Sequence, residues 1–338
     1  MFNIFRLDQN AITPLYQQIK DSVIDAIHVG KVKMDDRLPS IHGMCREFGL
    51  SPGTVAKAYD ELRKQGIIAS RQGKGFCIAS VNTDNKLNIF LLFDRLNSYK
   101  EILFSSFVEN LGNQAKVDIY FHHYDIKRFE HLILENLGNY HFYAVMPHFN
   151  EDVTEIIRKI PEDKLLVLDK PVENLEGNYI SVCQDFHHDI LNALVPKTDI
   201  FRKYKSFNFV EAVGNPFQFI PDGCLSGFAE FCDRYSIPNK FIERLEPEFI
   251  NKNEAYLVFA EHDLIQLIKV AEQNGYKLGK DLGIITYDDT PVKEVLAGGI
   301  TTVSTDFYEM GRFAADCILN KKKEKKFNPF KLILRNSL

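Results

Sequence analysis

The stretch RLPSIHGMCREFGLSPGTVAKAYDELRKQG, residues 37–66, decides the fold of the first part of this chain. After Ser40, a favourable N-cap, apolar residues recur at helical spacing and stop at Gly49, which predicts a short helix. Ser51 then caps a further helix with Pro52 at its first position, where the missing N–H would have had no partner within the helix. Two helices joined by the tight turn FGLS predict a helix-turn-helix.

The flanking sequence completes a small domain over residues 1–79. The segment PLYQQIKDSVIDAIHVGKV repeats apolar residues at helical spacing, which predicts an amphipathic helix from Pro14 to near Gly30. Beyond the quoted stretch, IIASRQGKGFCIA indicates two short strands around a basic tip, Arg71 to Gly75. The sequence therefore predicts a winged helix-turn-helix domain.

Charge and helix geometry together favour DNA as the partner of this domain. Residues 1–79 contain 11 lysines and arginines against 8 aspartates and glutamates, although the whole chain has a formal net charge of -5. The last helix has small side chains near its start, so its backbone can approach the major groove closely. We expect Arg37, Lys57, Arg71 and Lys74 to meet phosphates. A protein-binding surface is the alternative, which would make the chain a small-molecule sensor or scaffold.

A resemblance supports the DNA interpretation. From PLYQQI through RLPS, SPGTVAKAYDELRKQGII and RQGKGF, residues 14–76 resemble the winged-helix module of GntR-type transcription regulators. The resemblance implies that Arg37 and Ser40 contact the DNA backbone, that residues 51–57 enter the major groove, and that Gly73 with its neighbours enters the minor groove. The predicted DNA-binding residues are Arg37, Ser40, Ser51, Gly53, Thr54, Lys57, Arg71, Gly73 and Lys74.

The same resemblance implies a homodimer on double-stranded operator DNA. One short helix contacts few base pairs, and two half-sites supply the rest. Two positions depart from the family's pattern. Pro52 stands where many members have an arginine that reads bases, and His42 replaces a commoner charged residue.

The remaining sequence predicts a larger domain over residues 88–338, after a polar linker at residues 80–87. Apolar runs alternate with amphipathic stretches, beginning with NIFLLF, YKEILFSSFVENLG and VDIYF and resuming with AYLVFA, HDLIQLIKVAEQNG and LGIITYDD. Such alternation favours parallel sheets covered by helices on both faces. A single sheet would be unusually long, so we expect two similar α/β lobes with a cleft between them.

Polar residues follow several of these strands. Asp94 and Arg95 follow NIFLLF, His148 follows FYAVM, Asp169 ends LLVLD, and Asp288 follows IITY. Open α/β sheets bind ligands beyond the carboxyl ends of their strands. Carboxylates and an imidazole converging there suit a polyhydroxylated ligand, because each sugar hydroxyl both donates and accepts a hydrogen bond. A helix-capping role is the alternative for each residue.

A second resemblance covers the later part of the chain. DLGIITYDDTPVKEVLAGGITTVSTDFYEMGRFAADCIL, residues 281–319, resembles the closing segment of the LacI-type sensor domain, itself similar to periplasmic sugar-binding proteins. The resemblance implies that Asp288 binds a sugar hydroxyl and that His262 replaces an asparagine at another strand end. Cys224 stands where the family has a ligand-clamping arginine, so we expect Asp222 or Arg95 to replace it. The predicted effector-binding residues are Asp94, Arg95, His148, Asp169, Asp222, His262 and Asp288.

Nothing in the sequence indicates an enzyme, a cofactor or a metal site. The fingerprints HExxH, the Walker loop and GxGxxG are absent. The histidine pairs at 122–123 and 187–188 would face opposite sides of a strand and could not share one metal. The six cysteines are scattered without a CxxC pair, which favours reduced structural thiols. The run KKKEKK, residues 321–326, is interpreted as a solvated loop.

The compartment follows from the absence of export signals. No apolar run approaches the ~20 residues that span a bilayer, and MFNIFRLDQNAITP lacks the basic and apolar regions of a secretory signal. We expect an α/β two-lobe periplasmic-binding-protein-like domain preceded by a small winged helix-turn-helix domain. Its predicted role is that of a cytoplasmic bacterial transcription regulator whose operator binding is controlled by a monosaccharide held between the lobes.

Overall fold

The computed structural model describes residues 1–71, 75–80, 86–212 and 219–338. By its contacts the chain divides into two compact units. The first unit comprises residues 1–90, 113–118 and 132–143, and the second comprises residues 91–112, 119–131 and 144–338.

The predicted winged helix-turn-helix lies within the first unit. Its elements are α1 (Leu15–His28), α2 (Ile41–Phe48), α3 (Pro52–Lys64), β1 (Ile68–Arg71) and β2 (Gly75–Ile78). The strands pair antiparallel, as a wing requires. The apolar stripes of the helices form one core, in which Ile19, Val23, Val55, Tyr59 and Leu62 are fully buried.

Local chemistry sets the helix boundaries where the sequence predicts them. The Ser40 hydroxyl accepts a hydrogen bond from the Gly43 N–H at 3.0 Å and caps α2. Gly49 follows α2 with φ +66°, a left-handed conformation that glycine adopts without strain. The Ser51 hydroxyl accepts from the Thr54 N–H at 3.2 Å and caps α3. The predicted helix-turn-helix is confirmed.

The rest of the chain alternates strands with helices, as predicted. The strands are β3 (Leu87–Phe93), β4 (Ala115–Phe121), β5 (Phe142–Val145), β6 (Leu165–Asp169), β7 (Ile180–Cys183), β8 (Ser206–Val210), β9 (Phe241–Ile242), β10 (Glu254–Val258), β11 (Leu282–Tyr287), β12 (Thr301–Thr305), β13 (Lys325–Phe327) and β14 (Phe330–Ile333). The helices are α4 (Ser98–Leu111), α5 (Ile126–Asn136), α6 (Thr154–Ile157), α7 (Phe186–Leu194), α8 (Thr198–Phe201), α9 (Asp222–Tyr235), α10 (Glu261–Asn274), α11 (Pro291–Val295) and α12 (Phe307–Leu319).

These strands form two six-stranded sheets. One has the order β13-β7-β6-β5-β3-β4, and the other has the order β14-β12-β11-β10-β8-β9. In the second sheet β8 to β12 pair in parallel, and β14 is antiparallel to β12. The two-lobe architecture is therefore confirmed, and two successive strands, β13 and β14, join different sheets.

Two local predictions need correction. The run KKKEKK is not wholly a loop, since β13, which begins within it, pairs in parallel with β7. His187 and His188 lie in α7 and not in a strand. In the described part of the chain, no helix is both long and apolar enough to cross a membrane.

Candidate functional site

The first candidate surface lies where α2, α3 and the wing meet. Arg37, Ser40 and Gly53 line one groove there together with Pro52 and Ala56. The backbone at Arg37 runs beside β2, bridging to Cys77, which places its side chain next to the wing. Three of the predicted DNA-binding residues are thus neighbours on one surface.

The other predicted DNA-binding residues are engaged within the domain or lie outside the described residues. The hydroxyls of Ser51 and Thr54 are 2.8 Å apart. The Lys57 ammonium lies 3.6 Å from the centre of the Tyr16 ring. Arg71 pairs with Asp35 at 2.6 Å, while Gly73 and Lys74 lie outside the described residues.

The second candidate site is a cavity of about 420 Å³ in the second unit. It lies where the carboxyl ends of strands from both sheets meet, as expected for α/β folds. Six of the seven predicted effector-binding residues line it. These are Asp94, Arg95, His148, Asp169, His262 and Asp288. Asn97, Tyr99, Lys100, Tyr124, Gln184, Phe219, Phe259, Tyr287, Thr290 and Lys293 are among the other lining residues.

A buried chain of hydrogen bonds and ion pairs runs along the cavity wall. Asp94 is paired with Lys100 and accepts from the His148 Nδ1 at 2.7 Å. The other ring nitrogen of His148 is 2.9 Å from a carboxylate oxygen of Asp169. Gln184 donates to the second oxygen of Asp169 at 2.6 Å. The carboxylates of Asp94 and Asp169 are therefore largely occupied by protein partners.

The charged side chains in this buried hydrogen-bonded chain stabilise one another. Burial by itself would raise the pKa of Asp94, but His148 and Lys100 outweigh it and hold that pKa well below its usual range. Burial would likewise lower the pKa of His148, whereas the carboxylates of Asp94 and Asp169 raise it. His148 between two carboxylates is best described as an imidazolium. Its ring stacks on Phe219 with centroids 5.0 Å apart.

The chain of hydrogen bonds continues from one lobe into the other. The Tyr287 hydroxyl, at the end of β11, donates to the side-chain oxygen of Gln184 at 2.9 Å. Gln184 follows β7 of the other sheet. The hydrogen bond therefore holds the two sheets' strand ends together at the cavity.

Asp288 presents an unused hydrogen-bond acceptor. Its Oδ1 is buried and has no hydrogen-bond partner among the described residues. Burial raises the pKa of Asp288 to about 7. Its backbone has φ +63°, an uncommon conformation for a residue other than glycine, and the Lys293 ammonium donates to its carbonyl at 2.7 Å. The strand end is thus held in the turn that brings the carboxyl group to the cavity.

Arg95 presents an unused donor. Its Nε is buried without a hydrogen-bond partner in the described chain. Asp222, the alternative replacement for the missing arginine, does not line the cavity, because it is exposed at the first residue of α9. Cys224 is fully buried in the core of its lobe, where burial raises the pKa of its thiol well above the usual value. The structure thus brings Arg95, and not Asp222, to the cavity.

Sequence reasoning missed several lining residues. Lys100 and Lys293 lie inside helices, where a lysine gives no signal of burial. Gln184 follows β7, a strand of four residues that the apolar pattern did not indicate. Tyr124 lies in a turn after β4. Among the described residues, no group of three or more histidine, cysteine or acidic side chains is arranged to hold a metal ion.

Family models match both parts of the chain. Residues 15–78 match bacterial regulatory proteins of the gntR family. Residues 213–338 match the periplasmic binding protein-like domain. The transcriptional repressor YtrA of Bacillus subtilis (strain 168) is 34% identical over 76 residues, which are 22% of this chain and 58% of that protein. The chain thus spans less than two thirds of this relative's length.

Solved structures share the fold of the larger domain. A LacI family transcriptional regulator from Lactobacillus casei with bound glucose has a TM-score of 0.58 at 15% identity, covering 74% of this chain and 99% of that one. The lac repressor dimer bound to operator and the anti-inducer ONPF has a TM-score of 0.60 at 15% identity, covering 75% of this chain and 94% of that one. The chain therefore carries a winged helix-turn-helix domain that matches bacterial regulatory proteins of the gntR family, and a periplasmic-binding-protein-like domain with the fold of LacI-type regulators.

Proposed function

We propose that this protein is a transcription regulator whose binding to operator DNA is controlled by a monosaccharide in the cavity of the larger domain. The observation that carries the effector part is the pair of unused polar atoms in that cavity, Asp288 Oδ1 and Arg95 Nε. A polar atom buried without a partner is unfavourable, so these two favour a ligand that donates to one and accepts from the other.

The rest of the cavity favours a sugar as that ligand. Its volume of about 420 Å³ is that of a small-molecule site. A sugar hydroxyl can donate to Asp288 while a neighbouring oxygen accepts from Arg95. The carboxylates of Asp94 and Asp169 are already paired with protein groups, so they do not attract a cationic ligand. The Lactobacillus casei protein of the same fold holds glucose, which supports this ligand class.

The DNA part of the proposal assigns the remaining residues. Arg37 and Arg71 would contact phosphates, Ser40 and Ser51 would present the starts of α2 and α3 to the DNA, and Gly53 would allow α3 to approach. The other members of the proposed set are Thr54, Lys57, Gly73 and Lys74. A homodimer on two half-sites is part of the proposal, because α3 alone contacts few base pairs.

Thermal unfolding against a panel of free pentoses and hexoses tests the effector site. A ligand at 100 times its dissociation constant adds about 2.7 kcal/mol to the free energy of unfolding. Asp288→Asn should weaken the response, because an amide oxygen is a weaker acceptor than a carboxylate, and asparagine tolerates the left-handed backbone at this position. Asp222→Asn is the matched control and should respond like the unaltered protein. If no sugar raises the transition temperature, the effector class is wrong. If Asp288→Asn responds as strongly as the unaltered protein, the proposed site is wrong.

Salt dependence tests the DNA partner. Fluorescence anisotropy of labelled duplex DNA should show affinity falling steeply between about 50 and 200 mM salt, because phosphate contacts release counterions. Arg37→Ala should reduce the slope of log affinity against log salt by about 1. An affinity indifferent to salt would favour the alternative of a domain that binds protein.

A further inference from the structure

The first two turns of α3 expose three small residues on one face. Pro52, Gly53 and Ala56 are all exposed there, and helical geometry places them within about 100° of one another around the axis. An adjoining face carries Val55 and Leu62, which are fully buried. The three small residues therefore form a flat, apolar patch on the surface that also lines the groove beside the wing.

Gly53 in this patch has no explanation inside the protein. Its φ is not among the positive values that glycine alone adopts easily. A Cβ built on it would have Ser51 Oγ, 3.9 Å away, as its nearest neighbour. Glycine is less favourable than alanine within a helix. The open space at Gly53 would let another molecule approach α3 closely.

The neighbouring polar side chains on α3 are engaged with the protein itself. Ser51 and Thr54 bond to each other, and Ser51 caps the helix. Lys57 lies over a tyrosine ring. One turn further along, Asp60 pairs with Arg63 at 2.5 Å. The first two turns of α3 therefore offer a DNA major groove apolar contact and close backbone approach instead of long hydrogen-bonding side chains.

We propose that the patch formed by Pro52, Gly53 and Ala56 recognises the 5-methyl groups of thymine. In the major groove this methyl is the apolar group that distinguishes thymine from the other bases, and small side chains such as alanine contact it directly. The inference rests on the proposed function, since it specifies what the DNA-binding surface recognises in its operator.

Selection and base replacement test the proposal. The full-length protein is used to select sites from a random-sequence DNA duplex library, and the selected duplexes are then synthesised with uracil replacing thymine, one position at a time. Loss of one contacted methyl should reduce affinity about fourfold. Replacement at the contacted positions of two half-sites should reduce it about tenfold or more. Replacement elsewhere in the site serves as the control and should leave affinity unchanged.

Two variants separate the patch from folding. Gly53→Ala should keep or raise the temperature of unfolding, since the added methyl meets open space, yet it should reduce affinity for the selected site at least about tenfold by holding α3 away from the bases. Ala56→Gly should reduce the discrimination between thymine and uracil. Both variants should retain salt-dependent binding to unrelated duplex DNA, because the phosphate contacts remain.

The outcomes distinguish a failure of the thymine contact from a failure of the proposed function. If selected sites bind equally well with uracil at every position, or if Gly53→Ala binds as the unaltered protein does, the thymine contact is refuted while DNA binding stands. If selection enriches no sequence and binding is insensitive to salt, the proposed function fails together with the inference.

Discussion

Removing the charge of Asp94 should destabilise the larger domain more than any surface change. Asp94 is 0% exposed and lies between Lys100, at 1%, and His148, at 4% exposure of the side chain. Asp94→Asn leaves these two cations buried without their shared carboxylate. Breaking a buried pair by removing one partner costs about 3–5 kcal/mol, a large fraction of the about 5–15 kcal/mol of a typical domain.

Urea unfolding followed by far-UV circular dichroism measures this change. With a slope of about 1–3 kcal/mol per molar urea, the midpoint should fall by at least about 1 M. The double variant Asp94→Asn with Lys100→Met should lose less than the sum of the two single variants, because it removes both ends of one ion pair. Glu155→Gln, which breaks an exposed pair with Arg158, is the control and should barely shift the midpoint. A shift for Asp94→Asn as small as that control would refute the buried, charged network.

Two further predictions concern the same domain. The pKa of Asp288 is raised to about 7, so its contribution to stability is full below about pH 4 and is lost as pH rises through 7. Asp288→Asn should therefore flatten the pH dependence of the free energy of unfolding and be about 2–4 kcal/mol more stable at pH 8 in urea titrations; parallel profiles for both proteins would contradict this. Gly227→Ala adds a Cβ that overlaps the carbonyl oxygen of His187 on the adjoining helix, and it should cost about 1–3 kcal/mol. An unchanged urea midpoint for Gly227→Ala would show that α7 and α9 separate freely.

Local signals carried most of the fold prediction. Ser40, Ser51 and Gly49 form hydrogen bonds with residues three or four positions away in their own helices. Their roles therefore follow from sequence alone. The strand-end positions of Asp94, Asp169 and Asp288 were likewise predictable, because strand periodicity places a polar residue where an apolar run stops.

Partners distant in the chain were not predictable. His148 pairs with Asp94, 54 positions away, and with Asp169, 21 positions away. No local pattern indicates that it would pair with two carboxylates that were expected to bind the ligand. The choice between Arg95 and Asp222 depended on which side of α9 faces the cavity. Strand β13 was not predicted, because two of its three residues lie in a run of charges and the strand pairs at the edge of a sheet.

The destinations of β13 and β14 have a consequence for synthesis. Strand β13, residues 325–327, forms one edge of the first sheet. Strand β14, residues 330–333, forms one edge of the second sheet. Ser337 beyond them is fully buried, and its hydroxyl donates to the Ile284 carbonyl at 2.6 Å. Neither lobe can therefore complete its sheet while the ribosome still holds this segment in its exit tunnel. The winged helix-turn-helix, made of contacts among residues 5–78, is free of that delay. During translation, the domain proposed to bind DNA would emerge and fold well before the domain proposed to control it.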